Sequence, residues 1–291
     1  MSEPLDPKSP LVDSLRERLI LGLDRCLELL ADSSATNPDD VVHDVRKLTK
    51  VLRAQLRLLR PVMRRTVWRA EMTALRDAAA QLAAKRDAHV LLATFDQLAT
   101  SLKDPAALNP VREALAARAE AHAADSSLSE AGEILRGVRE RAETWVLRGQ
   151  DRVVIEKGLR QLYAKTRERM FRARTEGGTK NFHAWRRSNK QLMHAVELLS
   201  GSWPEAQGAW IHRARAVSDD LGLDHDLMDV RTEIQALPEE LATTAASALG
   251  LVAQRSGELR SLSLSPGAAL MADRPRAFAR RQMVWWDKAG R

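Results

Sequence analysis

The chain has 291 residues, 44% of them hydrophobic and 29% charged, and 46 Lys and Arg against 39 Asp and Glu give a formal charge of +7. This composition excludes a disordered or low-complexity chain, and 14 Gly with 4% aromatics favour helix over strand. The longest uncharged stretch, 241–254, falls short of the ~20 apolar residues of a spanning helix, and Met1-Ser2-Glu3-Pro4 lacks the basic start of a secretory signal.

In chain order, the first predicted helix runs from Leu11 to Asp32 and carries one apolar series: Val12, Leu15, Leu19, Leu23, Cys26, Leu27 and Leu30. Cys26, the only cysteine, is therefore read as a core residue, and a lone thiol fits a reducing cytosol. The second helix opens on Asn37 as N-cap, Pro38 at the first helical position, and Asp39 and Asp40 against the dipole, and it extends to Pro61. Further helical patterns cover 64–84, 87–100, 109–124, 128–147, 151–174, 180–200, 204–221, 226–236, 238–262 and 274–287. The breakers between them include Lys103-Asp104-Pro105, Asn109-Pro110, Glu176-Gly177-Gly178 and Ser265-Pro266-Gly267. The neutral segment 241–251 reads as a packed helix, and no strand alternation is evident.

The second helix carries the strongest signal. At about 100° per residue, His43, Arg46, Lys47, Lys50, Arg53 and Arg57 fall within an arc of roughly 120°. Val45, Leu48, Val51, Leu52, Leu56 and Leu59 occupy much of the other side. From His43 to Arg65 eight Lys and Arg accompany one acid, Asp44. A solvated face mixes both signs to gain i,i+4 pairs; this stripe repels itself and calls for an anionic partner.

The pattern returns 140 residues later. His183, Arg186, Arg187 and Lys190 match His43, Arg46, Lys47 and Lys50, and Leu192, Val196 and Leu199 match Leu52, Leu56 and Leu59. At Arg53 and Arg57 the match breaks, with Met193 and Glu197 in their place. Leu82 to Asp87 has an echo in Leu221 to Asp226, where Asp87 and Asp226 are expected to cap the following helices or orient a basic neighbour. Two copies of one helical unit, about 11–147 and 151–288, are therefore expected to pack about a pseudo-twofold axis, bringing the stripes together around a groove. Arg160, Tyr163 and Arg167 share a helix face before the second stripe, Arg86 sits in the first turn, and Arg276 and Arg280 lie on a basic terminal helix; all six join the candidate ligand set.

These residues resemble the CHAD domain, the conserved-histidine α-helical domain. The resemblance rests on Val42-His43-Asp44-Val45-Arg46-Lys47-Leu48-Thr49-Lys50-Val51-Leu52-Arg53, on Phe182-His183-Ala184-Trp185-Arg186-Arg187-Ser188-Asn189-Lys190, on Lys85-Arg86-Asp87-Ala88-His89-Val90, on Leu221-Gly222 with Asp226, and on Leu270 to Phe278. It covers about 11–288 as one domain. It implies an all-α fold of two four-helix halves around a basic central channel that binds inorganic polyphosphate without catalysis, in some members at polyphosphate granules. No Glu-x-Glu-x-Lys strand motif of the CYTH triphosphatases found fused to some members occurs here. The resemblance departs in the second stripe, where the usual Arg-Tyr pair after the Lys is Met193-His194.

The chemistry agrees with that reading. A flexible polyanion displays only phosphate oxygens, so its receptor needs many cationic donors. Arg46, Arg186 and Arg187 offer bidentate donors, Lys47, Lys50 and Lys190 point charges, and His43 and His183 donors whose protonation the ligand favours and the neighbouring cations oppose. Tighter binding at mildly acidic pH is expected. A sequence-independent nucleic-acid binder is the competing reading, although no aromatic interrupts 44–57 for base stacking. A phosphate-processing enzyme is a third, although the stripes offer few carboxylates to hold Mg²⁺ or activate water. No cofactor, metal or catalytic residue is expected: no His-Glu-x-x-His or Cys/His cluster occurs, and His89, His122, His194, His212 and His225 share no spacing and are assigned to structure or surface.

Overall fold

The computed structural model describes residues 3–32, 38–82, 84–100, 102, 104–121 and 128–291, and the side chains of 38–39, 84–89 and 119–121 fall outside that description. Among the described residues there is no strand. Twelve helices follow in order: α1 Leu11–Ala31, α2 Pro38–Leu59, α3 Arg65–Gln81, α4 Ala84–Ala99, α5 Asn109–Ala121, α6 Leu128–Glu143, α7 Asp151–Val153, α8 Arg160–Glu176, α9 Thr179–Leu199, α10 Pro204–Gln235, α11 Ala242–Leu270 and α12 Pro275–Ala289. A π-helical segment, Val154–Leu159, joins α7 to α8. The predicted Asn37 cap lies outside the described residues.

The apolar periodicities mark the buried faces. Leu11, Leu15, Leu19, Leu23 and Cys26 of α1 are fully buried, and burial pushes the Cys26 thiol up to about 12, which suits a packing residue rather than a nucleophile. Leu52, Leu56 and Leu59 of α2, and Leu192, Val196 and Leu199 of α9, are likewise buried. The start of α1 has no side-chain cap of its own. Its Leu11 and Val12 N–H groups donate instead to the Asp151 carboxylate at 2.8 and 3.0 Å, a negative charge at the positive end of the helix.

One core cluster joins α1, α2, α3 and α6 to the π segment, α8, α9, the N-terminal half of α10 and α12. A second gathers Leu91, Phe95 and Leu98 of α4 and Val111 and Leu115 of α5 with Leu227, Val230 and Ile234 of α10 and Ala248, Val252 and Leu259 of α11. That cluster draws on both sequence stretches, so they do not fold as two separate bundles. Helix starts nonetheless recur at a steady spacing: 11 and 151 for α1 and α7, 38 and 179 for α2 and α9, 65 and 204 for α3 and α10. Helices α2 and α9 pack directly on each other, with α8 and α10 on either flank of α9.

Three expectations from local signals are corrected. The predicted helices 204–221 and 226–236 are one 32-residue helix; Gly222 inside it costs only about 1 kcal/mol, which the burial of Leu221, Leu227 and Val230 outweighs. Asp226 consequently caps nothing, since it lies mid-helix. Ser265-Pro266-Gly267 does not break α11, which continues to Leu270. Pro266 forfeits only the bond to the carbonyl of exposed Leu262. A Cβ at Gly267 would overlap the ring of Trp185, itself fully buried, so glycine is what lets that indole close against α11. The Gly177–Gly178 turn behaves as expected: both residues have positive φ, 64° and 76°, and separate α8 from α9.

Candidate functional site

Because α2 and α9 are in contact, their stripes approach one another. Arg46, Lys50, Arg53 and Arg57 on α2 and His183, Arg186 and Lys190 on α9 are partly buried, while His43, Lys47 and Arg187 are exposed. Burial, then Arg187 and then Arg76 of α3 weaken the hold of Arg53 on its proton. Since Arg187 belongs to the second stripe and Arg53 to the first, the two stripes act on each other electrostatically. Burial, with Arg53 and Arg169, pushes Arg57 down to about 10. It remains cationic at neutral pH, and one of its N–H groups donates to the Arg53 carbonyl at 2.9 Å.

The repulsion extends to helices the stripe pattern does not name. Arg169 of α8 is lowered by burial and by Arg187. Lys165, one turn earlier, is lowered by burial and then by Arg169, Arg57 and Arg60. Neither residue is predicted above, although their i,i+4 spacing on one face of α8 is visible in the sequence. Glu168, the acid that enters this network, is bonded to Arg172 at 3.0 Å. On the other flank the His183 ring lies 4.2 Å from that of His225, centroid to centroid, tilted by 60°. Burial first, then His225, Arg187 and Arg186, push His183 down to about 4. Arg53 Nε and His183 Nδ1 are buried with no hydrogen-bond partner among the described residues. A cluster of partly desolvated cations from α2, α8 and α9, with exposed Arg76 of α3 beside it, is an arrangement that an anion stabilises.

The remaining predicted residues divide. Arg46 donates to the Leu82 carbonyl at 3.0 Å, just past the end of α3. The Arg186 guanidinium lies over Gly222 of α10, its Nε and Nη2 3.5 Å from where a Cβ would stand. Lys47, at the edge of the arc, lines a recess of about 290 Å³ with Arg25, Asp44, His194, Glu197 and Arg215. In that recess Glu197 bonds to Arg215 and His194, and Met193 is buried, which accounts for the break in the repeat at 193 and 197.

Tyr163 is withdrawn from the ligand set. It is fully buried and its ring stacks on Phe278 at 4.1 Å. Its hydroxyl donates to the Leu270 carbonyl and accepts from the Asp273 N–H, both at 3.1 Å, and burial and Asp273 push it up to about 12. Arg167 donates Nε–H to the Met271 carbonyl at 3.1 Å. The face of α8 that carries these two residues thus secures the junction of α11 and α12. Arg160 is partly buried beside the π segment. Arg276 and Arg280 are exposed on α12, which packs chiefly on the π segment and α8. The side chains of Arg86 and Asp87 lie outside the described residues. Among the described residues no group of three or more His, Cys, Asp or Glu gathers as metal ligands, and no helix is long and apolar enough to cross a membrane.

Fold and site together define an all-helical protein with basic side chains from several helices held against one another. A CHAD domain family model matches residues 22–235, and the chain belongs to that family. The crystal structure of the CHAD domain from the plant Ricinus communis has a similar fold, with a TM-score of 0.67 and 18% sequence identity over 94% of this chain and 95% of that one. No curated protein matches the chain.

Proposed function

We propose that this protein binds inorganic polyphosphate, without catalysis, along the basic surface shared by α2, α8 and α9. One observation carries the proposal: Arg187 on α9 weakens the hold of Arg53 on α2 and of Arg169 on α8 on their protons, after burial, and Arg57 and Lys165 are lowered within the same cluster. Folding accepts this repulsion, and a flexible chain of phosphates relieves it with one negative charge per unit and no need for base-edge readers. The helix starts recurring near 140 residues support a further inference, that α1–α6 and α7–α12 are two copies of one unit whose stripes line a common channel. Glu168 of α8, the acid that enters the cationic network, is committed to Arg172, and buried Asp224 of α10 to Ser256 and Arg260, which favours binding over hydrolysis. In the cell we place the protein in the cytoplasm, at polyphosphate granules where these form.

The test is titration of the protein with long-chain polyphosphate, against a variant with Arg46, Lys50, Arg186 and Lys190 all changed to Ala. The variant should keep its helical circular dichroism, lose binding, and lose most of the slope of log affinity against log salt. A nucleic-acid binder is the alternative that a pI near 9.9 allows. RNA or single-stranded DNA displacing polyphosphate at equal charge concentration would establish it, and phosphate release abolished by His43→Ala would establish an enzyme.

A further inference from the structure

We propose that His225 is a further phosphate-contacting residue and that it takes up protons with His183 as the polyanion binds, making affinity follow pH through this imidazole pair. The inference rests on the polyphosphate reading above and adds to it a residue and a mode of control. His183 on α9 and His225 on α10 hold their rings 4.2 Å apart at 60°, a separation at which two imidazolium ions repel strongly unless an anion is shared between them. His183 Nδ1 is buried and has no hydrogen-bond partner among the described residues, so the protein itself does not use that ring nitrogen.

The charges around the pair come from every neighbouring helix. On α9 these are Arg186 and Arg187, both of which act on His183. Arg187 is in turn coupled to Arg53 of α2 and Arg169 of α8. On α10, Asp229 lies 3.8 Å from His225 Nε2, Asp226 is the next residue along the chain, and buried Asp224 accepts from Ser256 Oγ at 2.5 Å and from Arg260 Nε at 2.9 Å. Arg260 of α11 also sits 5.0 Å above the Phe182 ring. Burial disfavours the charged form of His183 most, and His225, Arg187 and Arg186 add to it, so His183 is neutral in the free protein at pH 7. A bound polyphosphate reverses the local potential. His183 then gains a proton, and the paired imidazoles offer N–H donors to phosphate oxygens. His225 has no counterpart among the polar residues that repeat at 140, because its offset partner of 139 is Arg86. At that place a permanently charged side chain is exchanged for a titrating one.

Calorimetric titration with long-chain sodium polyphosphate at about pH 6.5, in two buffers of different ionisation enthalpy, reads the protons taken up per chain bound. The wild type should take up on the order of one proton or more per bound chain, and its affinity should rise roughly five- to tenfold from pH 8 to pH 6. His225→Gln and His183→Gln should each lose at least half of both effects with unchanged circular dichroism. His225→Arg should bind with an affinity less dependent on pH and with reduced uptake, which keeps the proposal testable if a Gln variant fails to fold. Wild-type binding without proton uptake, or uptake undiminished in His225→Gln or His225→Arg, overturns the proposal and leaves polyphosphate binding standing. A wild type that binds no polyphosphate overturns both.

Discussion

Arg57→Met separates a binding residue from a structural one, because it should shift stability and affinity in opposite directions. Arg57 is held at about 10, well below the ordinary arginine value, while an unfolded chain keeps its proton to a higher pH. Between those two values the unfolded state binds more protons, so stability rises with pH there; at pH 7 both states are charged and the full penalty is present. At about 1.4 kcal/mol per pH unit the penalty is bounded at about 3 kcal/mol. Desolvation is its largest cause, with Arg53 and Arg169 next, and screening of a partly exposed guanidinium leaves a gain of about 1 kcal/mol as the working expectation. Met keeps the apolar stem in place. The free variant should therefore melt about 2 °C above the wild type in low salt, while polyphosphate affinity falls several-fold and the salt slope by about one. Thermal melts by circular dichroism and a polyphosphate titration measure the two quantities. A lower melting temperature with unchanged affinity would refute the reasoning, since Arg57 would then serve the fold and not the ligand.

Two other outcomes follow from the same contacts. The folded value of His183, about 4, lies below its ordinary 6.5, so the unfolded state binds more protons in that window and the free protein should lose stability as pH falls from about 6.5 to about 4; melting curves of His183→Gln should show a shallower loss. Gly267→Ala should destabilise the protein by about 1–2 kcal/mol, because overpacking against Trp185 exceeds the helix propensity gained, with a shift in tryptophan emission as its signature.

Much of the fold is legible in the sequence because helix faces are written in the 3.6-residue period: the buried residues of α1, α2 and α9 follow the apolar series closely. The first stripe is legible for the same reason, and the second because His183, Arg186, Arg187 and Lys190 repeat it. Local punctuation misleads where tertiary burial outweighs it. Gly222 and Pro266-Gly267 look like breaks, yet each sits inside a long helix whose other residues pack in the core. Periodicity also says which residues share a face but not what that face meets. Arg160, Tyr163 and Arg167 are grouped by spacing, yet Tyr163 and Arg167 turn toward the α11–α12 junction, whereas Lys165 and Arg169 around the helix join the cationic cluster. His225 is hidden for a related reason: its significance arises from a 4.2 Å approach to His183 across two helices, which no spacing within either helix encodes.

The claim most exposed to test is that one polyanion is gripped from both stripes at once. Polyphosphate affinity of Arg53→Ala, Arg187→Ala and the double variant, each measured across a salt series, addresses it directly. The account predicts that each single change weakens binding several-fold and lowers the salt slope by about one, with the double variant lowering it by about two. If substitutions on one helix abolish binding while that on the other leaves affinity and slope at wild-type values, the two stripes do not share a ligand.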